Sequence, residues 1–317
     1  MTGSGLLRVI QAEINRVVRK PFIYIIPLLF LIYVIPDEVG AYNRALAFYT
    51  GTIEMPPGVP NPFAGVDLSQ MLYWFRWENI LTSAGATCLA GLGGTSLVGY
   101  VGAVWFADDL QTGVNKQIAV LRKRLMLVIS GKFLTLALYM AGILIFVALV
   151  SVLTTLFLSE IPGREPAALL RWIPLRNIML CSIMAVMWAS LVAMITLLSR
   201  SPVLGAAVGV MWPLVETVGL ITGNSKIQLF LAKITPISTI HSLLAFIYDR
   251  FSWVIDSTPV VLWTTSPPLT RTMGTVYGME ALVPFLLPFS SLLTVLVVYT
   301  LVGFGGIAIG YYLRTRD

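Results

Sequence analysis

The sequence predicts an all-α polytopic membrane protein with six transmembrane helices and both termini in the cytoplasm. The first observation is composition: 57% of the residues are hydrophobic and 11% are charged, against about 45–50% and about 25% in soluble domains. The second is that the apolar residues form runs of roughly twenty, the length that a helix needs to cross the hydrocarbon core. The third is that cations gather at the ends of these runs, which is typical of membrane orientation rather than of nucleic-acid binding.

The apolar runs divide a single transmembrane domain, residues 1–317, into its elements. The predicted spans are residues 21–39, 80–106, 133–158, 177–199, 203–222 and 281–312. With six spans, both termini lie on one side. The segments on that side carry twelve cations and four acids, a net charge of +8, whereas the opposite segments carry a net charge of −1. Because positively charged loops stay in the cytoplasm, we expect a multi-pass protein of a bacterial inner membrane with cytoplasmic termini.

Two long segments lie on the predicted outer side. Residues 40–79 form an outer loop whose MPPGVPNPF stretch argues against regular structure. Residues 223–280 form an outer segment that contains ITPISTIHSLLAFIYDRFSWVI. This stretch is too apolar for a simple loop, so we expect one or two short helices that lie in, or dip into, the outer leaflet.

Two amphipathic segments lie on the predicted cytoplasmic side. Residues 1–20 predict a helix along the inner membrane surface, with cations on one face and apolar residues on the other. The apolar face consists of Leu6, Leu7, Ile10, Ile14, Val17 and Val18. Residues 107–132 predict a second helix, over 108–130, that leads into the third span; its amphipathic part, from Val114 to Ile129, is about four turns long. Such a rigid segment would transmit a push from a cytoplasmic partner to two spans at once.

Small residues recur at four-residue spacing in three of the spans. The rows are Ala86, Ala90 and Gly94 in the second span, Gly205 and Gly209 in the fifth, and Gly306 and Gly310 in the sixth. Such rows allow helix backbones to approach closely in lipid. We expect them to pack helices within one bundle rather than to form a dedicated dimer seam.

The sequence offers no motif for catalysis. Gly131-Lys132 lacks the upstream glycine and the following Ser or Thr of a phosphate-binding loop, so we expect no ATP hydrolysis by this chain. Cys88 and Cys181 fall inside apolar runs and are expected to be small buried hydrophobes. His241 is the only histidine, which favours a structural role. We therefore expect no catalytic residue, metal or cofactor in this chain.

Glu216 is the one acid deep inside an apolar run. Because a charge at mid-membrane costs a few kcal/mol, we expect this carboxyl group to face the bundle interior or a water-filled path. Two interpretations stay open. Glu216 and the neighbouring Trp212 could lie on a substrate path, or Glu216 could carry a proton. Alternatively, Glu216 could be a structural carboxylate that is protonated or hydrogen-bonded to a neighbouring span.

The cytoplasmic segment resembles a motif of one known family, the permease subunits of type-2 (type V) ABC exporters. Asp109, Gly113, Arg124 and Gly131-Lys132 match the acid, the glycine four residues on, the arginine and the Gly-Lys pair that opens span three. The ITPIST stretch resembles the start of the family's outer element, and the similarity extends loosely over nearly the whole chain. This chain departs from the family in having Asp rather than Glu at 109, Val rather than Thr at 114, and no proline near 122.

The resemblance implies a permease that moves a hydrophobic or amphipathic substrate out of the cytoplasm or the inner leaflet. It also implies two separate ABC ATPase subunits that bind ATP and Mg, a second permease copy or paralogue, and contacts with membrane lipids. The implied ATPase-coupling residues are Asp108, Asp109, Gly113, Lys116, Arg122, Arg124 and Lys132. Two other classes stay open: a polytopic membrane enzyme or assembly factor, and a proton-coupled secondary transporter that uses Glu216.

Overall fold

Helices make up all the regular structure of the described chain. The structure is a computed structural model that describes residues 3–50, 52, 85, 88–89, 92–111, 125–157, 172–222, 235–240, 243–244 and 289–314. The helices are α1 (Gly3–Val17), α2 (Phe22–Tyr49), α3 (Leu92–Gln111), α4 (Leu125–Phe157), α5 (Trp172–Ser199), α6 (Pro202–Thr222) and α7 (Phe289–Arg314). These residues contain no strand, so the all-α part of the expected fold class is confirmed within them.

Four of these helices, α2, α4, α5 and α7, are long and apolar enough to cross a membrane. They correspond to the first, third, fourth and sixth predicted spans. α3 and α6 overlap the second and fifth, and α6 contains a shorter apolar helical stretch, Pro202–Glu216. Large aliphatic side chains on the outer faces of these helices are exposed, such as Ile32, Leu149 and Leu301. Because a soluble protein rarely exposes an apolar surface of this extent, the chain has the character of a helical membrane protein.

α5 is the central helix, since it packs against α3, α4, α6 and α7. Glycines on α7 bring that helix close to it: the pairs are Gly303 with Ser190, Gly306 with Met194, and Gly310 with Leu197. The residue numbers rise together along both helices, so α5 and α7 run parallel. A side chain at any of these glycines would meet α5 atoms at less than van der Waals distance, which is why the smallest residue stands there.

The small-residue row of α6 also packs within the bundle. Gly205 faces Thr196 of α5, and a Cβ atom at Gly209 would lie 2.6 Å from the carbonyl carbon of Gly99 in α3. The Ser96 hydroxyl donates a hydrogen bond of 2.9 Å to the Val210 carbonyl beside this crossing. The expectation of packing inside one bundle is confirmed for the rows of α6 and α7. Ala86 and Ala90 lie outside the described residues.

A tight turn joins α5 to α6. Arg200 adopts a left-handed conformation with φ of 56°, the backbone state that commonly ends a helix. The Ser201 hydroxyl accepts a hydrogen bond of 3.2 Å from the Leu204 amide and so caps α6. Pro202 occupies the first helical position, where no N–H is needed. The two helices are therefore antiparallel neighbours.

Aromatic contacts bring helix ends together at one end of the bundle, which we call the α1 end. The Trp105 ring, near the end of α3, stacks on Tyr139 of α4 at 5.2 Å and meets Phe22 of α2 at 6.2 Å. Phe106 of α3 similarly meets Tyr311, near the end of α7. Hence α3 and α7 end beside the start of α2 and the first half of α4, and α1 packs against Gly131 and Lys132 of α4 toward this same end.

Three expected boundaries differ from the structure. α2 continues to Tyr49, so residues 40–49, assigned to the outer loop, are helical. The stretch after Gly40 has no proline and no further glycine before Gly51, and its Arg-Ala-Leu-Ala sequence has high helix propensity. α4 begins at Leu125 rather than at residue 133, because the apolar residues on both sides of Gly131-Lys132 continue one helix.

The third difference concerns Asp108 and Asp109. They lie in the last described turn of α3, after four turns of helix that begin at Leu92. The helix predicted over 108–130 would begin with this acidic pair, whereas in the structure the pair extends α3. Apolar residues up to Ala107 continue the helix into this acidic pair. Of the predicted helix over 108–130, residues 108–111 and 125–130 are described, and they belong to α3 and α4.

Candidate functional site

Two polar clusters lie inside this apolar structure, one at the α1 end and one along α6. The first, which we call the basal cluster, consists of Glu13, Arg16 and Lys132. The Lys132 ammonium nitrogen lies 3.0 Å from Glu13 Oε1, and Arg16 Nη2 lies 2.7 Å from Glu13 Oε2. The Lys132 side chain is only 1% exposed and that of Glu13 is 12% exposed. One carboxylate thus binds two cations, one of which is buried.

The sequence around Lys132 explains how α1 reaches it. Gly131 has no side chain, and a Cβ atom there would collide with the Val9 side chain of α1. The glycine therefore allows α1 to lie directly on α4. Glu13 is four residues after Val9, one turn along the same face of α1, which places its carboxylate beside the next residue of α4, Lys132.

The docking of α1 divides its expected apolar face in two. Val17 is buried and Leu6 and Ile10 are partly buried, whereas Leu7, Ile14 and Val18 are exposed. The three exposed residues, spaced by seven and four, form one stripe along the helix. Arg8 and Arg19 are exposed about a quarter-turn further round. One face of α1 therefore packs against the bundle. The adjacent exposed stripe can contact lipid, with Arg8 and Arg19 beside it.

The other expected coupling residues are described only in part. Asp108 and Asp109 are helical, at the end of α3. Gly113, Lys116, Arg122 and Arg124 lie outside the described residues. Of the expected set, Lys132 has a described side chain, and that side chain points into the protein toward Glu13 rather than toward solvent.

The second cluster, which we call the Glu216 cluster, joins α6 to residues 235–240. Glu216 is 8% exposed. Its Oε2 accepts a hydrogen bond of 2.8 Å from the Trp212 indole nitrogen, one turn earlier in α6. Its Oε1 accepts a hydrogen bond of 2.6 Å from the Ser238 amide. Trp212 itself is 44% exposed, so the cluster lies just inside the outer surface of α6.

The geometry of the Glu216 cluster suits a carboxylate that holds two elements together. A carboxylate accepts hydrogen bonds through both oxygens, and here each oxygen receives one from an N–H group. Residues 236–240 are helical, and the Ser238 amide belongs to their first turn. The amides of a first turn have no partner within their own helix. Glu216 therefore acts as the cap of a helix to which it does not belong.

Sequence reasoning missed Glu13 and Ser238 as partners. A signal for Glu13 was present, because on a helical projection it falls between Leu6, Val9 and Val17. An acid on the inner face of an amphipathic helix needs a polar or cationic partner, and Lys132 is a cation within a long apolar helix. No comparable signal pointed to Ser238, since a main-chain amide has no sequence signature and lies 22 residues from Glu216.

Neither cluster has the composition of a metal centre. Among the described residues, no group of three or more His, Cys, Asp or Glu side chains could hold a metal ion. Cys88 and Cys181 are free and buried, as expected of small hydrophobes. No protein-family model, no curated protein and no solved structure matches this chain. The class defined by the fold is thus a helical membrane protein, and the two clusters are the basis for any functional proposal.

Proposed function

We propose that this chain is the transmembrane permease subunit of an ATP-driven exporter that moves a hydrophobic or amphipathic substrate out of the cytoplasm or the inner leaflet. In this proposal six spans cross a bacterial inner membrane, the α1 end is cytoplasmic, and two separate ABC ATPase subunits bind residues 107–132. A second permease copy or paralogue completes the transporter. The sequence motif from Asp109 to Lys132 motivates this class.

The observation that carries the proposal is the way the basal cluster connects the expected coupling segment to the bundle. Asp108 and Asp109 continue α3 without a break, and Gly131 and Lys132 lie within α4. Lys132 also binds Glu13 of α1. A force applied between residues 112 and 124 would therefore act on two long helices and on α1, because all three are joined at that end. This is the mechanical requirement for a segment that receives a push from a motor subunit.

Charge at the α1 end also favours a cytoplasmic location. The predicted segments on that side sum to +8, and positive loops remain in the cytoplasm. The stripe of Leu7, Ile14 and Val18 beside Arg8 and Arg19 is suited to a helix at the inner leaflet, with aliphatic side chains in the acyl region and cations near lipid phosphates.

The alternative in which Glu216 carries a proton receives less support. Both of its oxygens are engaged by N–H donors. Because N–H groups of the protein itself hold and orient the carboxyl group, this arrangement favours a structural role. A membrane enzyme would need clustered catalytic side chains, whereas the basal cluster pairs its charges with one another and Glu216 accepts hydrogen bonds from Trp212 and the Ser238 amide.

The proposal is tested by purifying the full chain from its native membrane. We expect an ATPase subunit with a phosphate-binding loop to co-purify, and we expect the complex, but not the chain alone, to hydrolyse ATP. Asp109→Ala and Gly113→Ala should lower ATP-driven transport while leaving the yield of folded permease unchanged. Gly142→Ala is the matched control, because nothing lies within 4 Å of a Cβ atom at Gly142.

Two results would remove the proposal. One is transport at the original rate by both the Asp109 and Gly113 variants. The other is transport by the purified chain that follows an imposed pH gradient, needs no ATP, and is abolished by Glu216→Gln. The second result would instead establish the proton-coupled alternative.

A further inference from the structure

We propose that Tyr139 is a positioning residue, which ties the start of α2 to α4 by donating the hydrogen bond that Pro27 removes from α2. Through this tie the first predicted span moves as one body with α3 and α4, the two helices that flank residues 112–124. The effect on transport rests on the proposed function, whereas the tie between α2 and α4 can be measured without it.

The first support is the proline inside α2. In an α-helix the N–H of residue 27 would bond to the carbonyl of Ile23, four residues earlier, but Pro27 has no N–H. Prolines are tolerated in membrane spans because neighbouring elements satisfy the backbone groups that they leave free. The Tyr139 hydroxyl of α4 donates a hydrogen bond of 3.1 Å to this same Ile23 carbonyl. The donor missing from α2 is therefore supplied by α4.

The second support is the position of Tyr139 along α4. Tyr139 follows Lys132 by seven residues, which is about two turns, so the two side chains lie on the same face of the helix. Lys132 binds Glu13 of α1, and Tyr139 binds α2 about 10 Å further along. One face of α4 thus holds first α1 and then the start of α2.

The third support is the set of aromatic rings around Tyr139. Trp105 of α3 stacks on the Tyr139 ring at 5.2 Å and meets the Phe22 ring of α2 at 6.2 Å. Trp105 is only 2% exposed, so these contacts are internal. Ring pairs of this kind favour particular relative orientations. The start of α2 therefore meets α3 and α4 at one place, and the described part of α2 packs mainly against these two helices.

A second tyrosine near the start of α2 provides a natural comparison. The Tyr24 hydroxyl donates a hydrogen bond of 3.0 Å to the Val18 carbonyl, just after the end of α1. This bond is exposed, so water can replace it when the hydroxyl is removed. Tyr139 instead lies inside the third predicted span against the buried Trp105. Loss of its hydroxyl leaves the Ile23 carbonyl without this donor in a poorly solvated place, which costs more.

A double-mutant cycle tests the tie by thermal unfolding of the purified full chain in one detergent. Tyr139→Phe removes only the hydroxyl and should lower the midpoint by roughly 2–4 °C, the scale of about one hydrogen bond in a large domain. In a Pro27→Ala background, the amide restored at residue 27 can bond to the Ile23 carbonyl, so Tyr139→Phe should cause no shift. Equal shifts from Tyr139→Phe with and without Pro27→Ala overturn the proposal.

Two controls make the cycle specific. Pro36→Ala changes the other proline inside α2 and should not cancel the effect of Tyr139→Phe. Tyr24→Phe removes the exposed hydroxyl, so it should lower the midpoint less than Tyr139→Phe does, and by the same amount with or without Pro27→Ala. Cancellation by Pro36→Ala as well would show that a general change in α2, rather than the Ile23 carbonyl, is responsible, and this also overturns the proposal.

Fluorescence quenching tests the joint motion in the complex with its ATPase subunits. In a background without the two native cysteines, Ile25→Cys is labelled with bimane, a fluorophore that tryptophan quenches at short range. Ile25 is half exposed and lies about one turn after Phe22, so Trp105 is the expected quencher and Trp105→Phe should restore the fluorescence. Nucleotide trapping with vanadate should leave the quenching unchanged, whereas it should relieve the quenching when Tyr139→Phe is added.

The two experiments separate this inference from the proposed function. The same response to nucleotide trapping with and without Tyr139→Phe overturns the role of Tyr139 in joint motion. If no ATPase subunit co-purifies with the chain, the proposed function fails, and the thermal cycle alone decides whether Tyr139 holds α2 on α4.

Discussion

Breaking the contact between α1 and α4 at Glu13 should destabilise the protein by an amount that the structure allows us to estimate. Glu13→Ala removes the carboxylate that lies 3.0 Å from the Lys132 ammonium group. Removing one partner of a buried pair costs about 3–5 kcal/mol, because the remaining charge is left in an apolar environment. Lys132 is almost fully buried but Glu13 keeps some contact with solvent, so we expect the lower end, about 3 kcal/mol.

The assay is thermal unfolding of the purified full chain in one detergent. A loss of about 3 kcal/mol corresponds to a fall of roughly 6–12 °C in the unfolding midpoint, by the scaling for larger domains. Arg16→Ala is the control, because it breaks the more exposed i, i+3 pair with Glu13, worth about 0.2–1 kcal/mol. The double variant Glu13→Ala/Lys132→Met should recover most of the loss, since the buried lysine charge is removed together with its carboxylate partner. An equal shift for Glu13→Ala and Arg16→Ala, or no recovery in the double variant, would refute this reasoning.

Two further predictions concern the backbone. Gly209→Ala should lower the unfolding midpoint, because its Cβ atom would lie 2.6 Å from the Gly99 carbonyl carbon. Gly142→Ala is the control: its Cβ atom would lie in open space, so helix propensity should raise the stability by up to about 1 kcal/mol. Equal shifts in the two variants would contradict the close crossing of α3 and α6. Arg200→Val should lower the free energy of unfolding by about 1–2 kcal/mol, because residue 200 has a left-handed backbone with φ of 56°. Arg200→Gly should have little effect in the same thermal assay. A larger loss for Arg200→Gly than for Arg200→Val would show that the turn does not need a left-handed backbone at this position.

The long helices could be predicted from the sequence because they depend on local properties. α5, α6 and the turn between them match the predicted boundaries closely, since apolar runs end at Ser199 and resume at Pro202. The start of α4 could not be placed in this way. Gly131-Lys132 marks a change in polarity, but a buried lysine with a carboxylate partner does not interrupt a helix, and the partner lies more than a hundred residues away.

The two clusters illustrate the same limit. Glu216 and Lys132 were recognisable as charged residues in unusual surroundings, because a hydrophobic context is visible in the sequence. The sequence did not show which residues pair: Lys132 was expected to face a cytoplasmic partner, yet its described contact is Glu13 of the same chain. Hydrogen-bond and ion-pair partners depend on which helices are in contact and on the position along each helix at which they meet. The periodicity of one helix contains no such information.

The sequence by itself determined that this chain is helical and membrane-like, that its N-terminal helix is amphipathic, and that Glu216 needs a polar partner. Each of these follows from the hydrophobicity and spacing of neighbouring residues. Only the tertiary structure decided that α1 docks on Gly131, that half of its apolar face stays exposed, and that Glu216 caps the turn at Ser238. The physical reason is that these features arise where segments far apart in the chain approach closely. The missing side chain at Gly131 lets α1 reach α4, and the level along α6 at which residues 235–240 pack places the Ser238 amide beside Glu216.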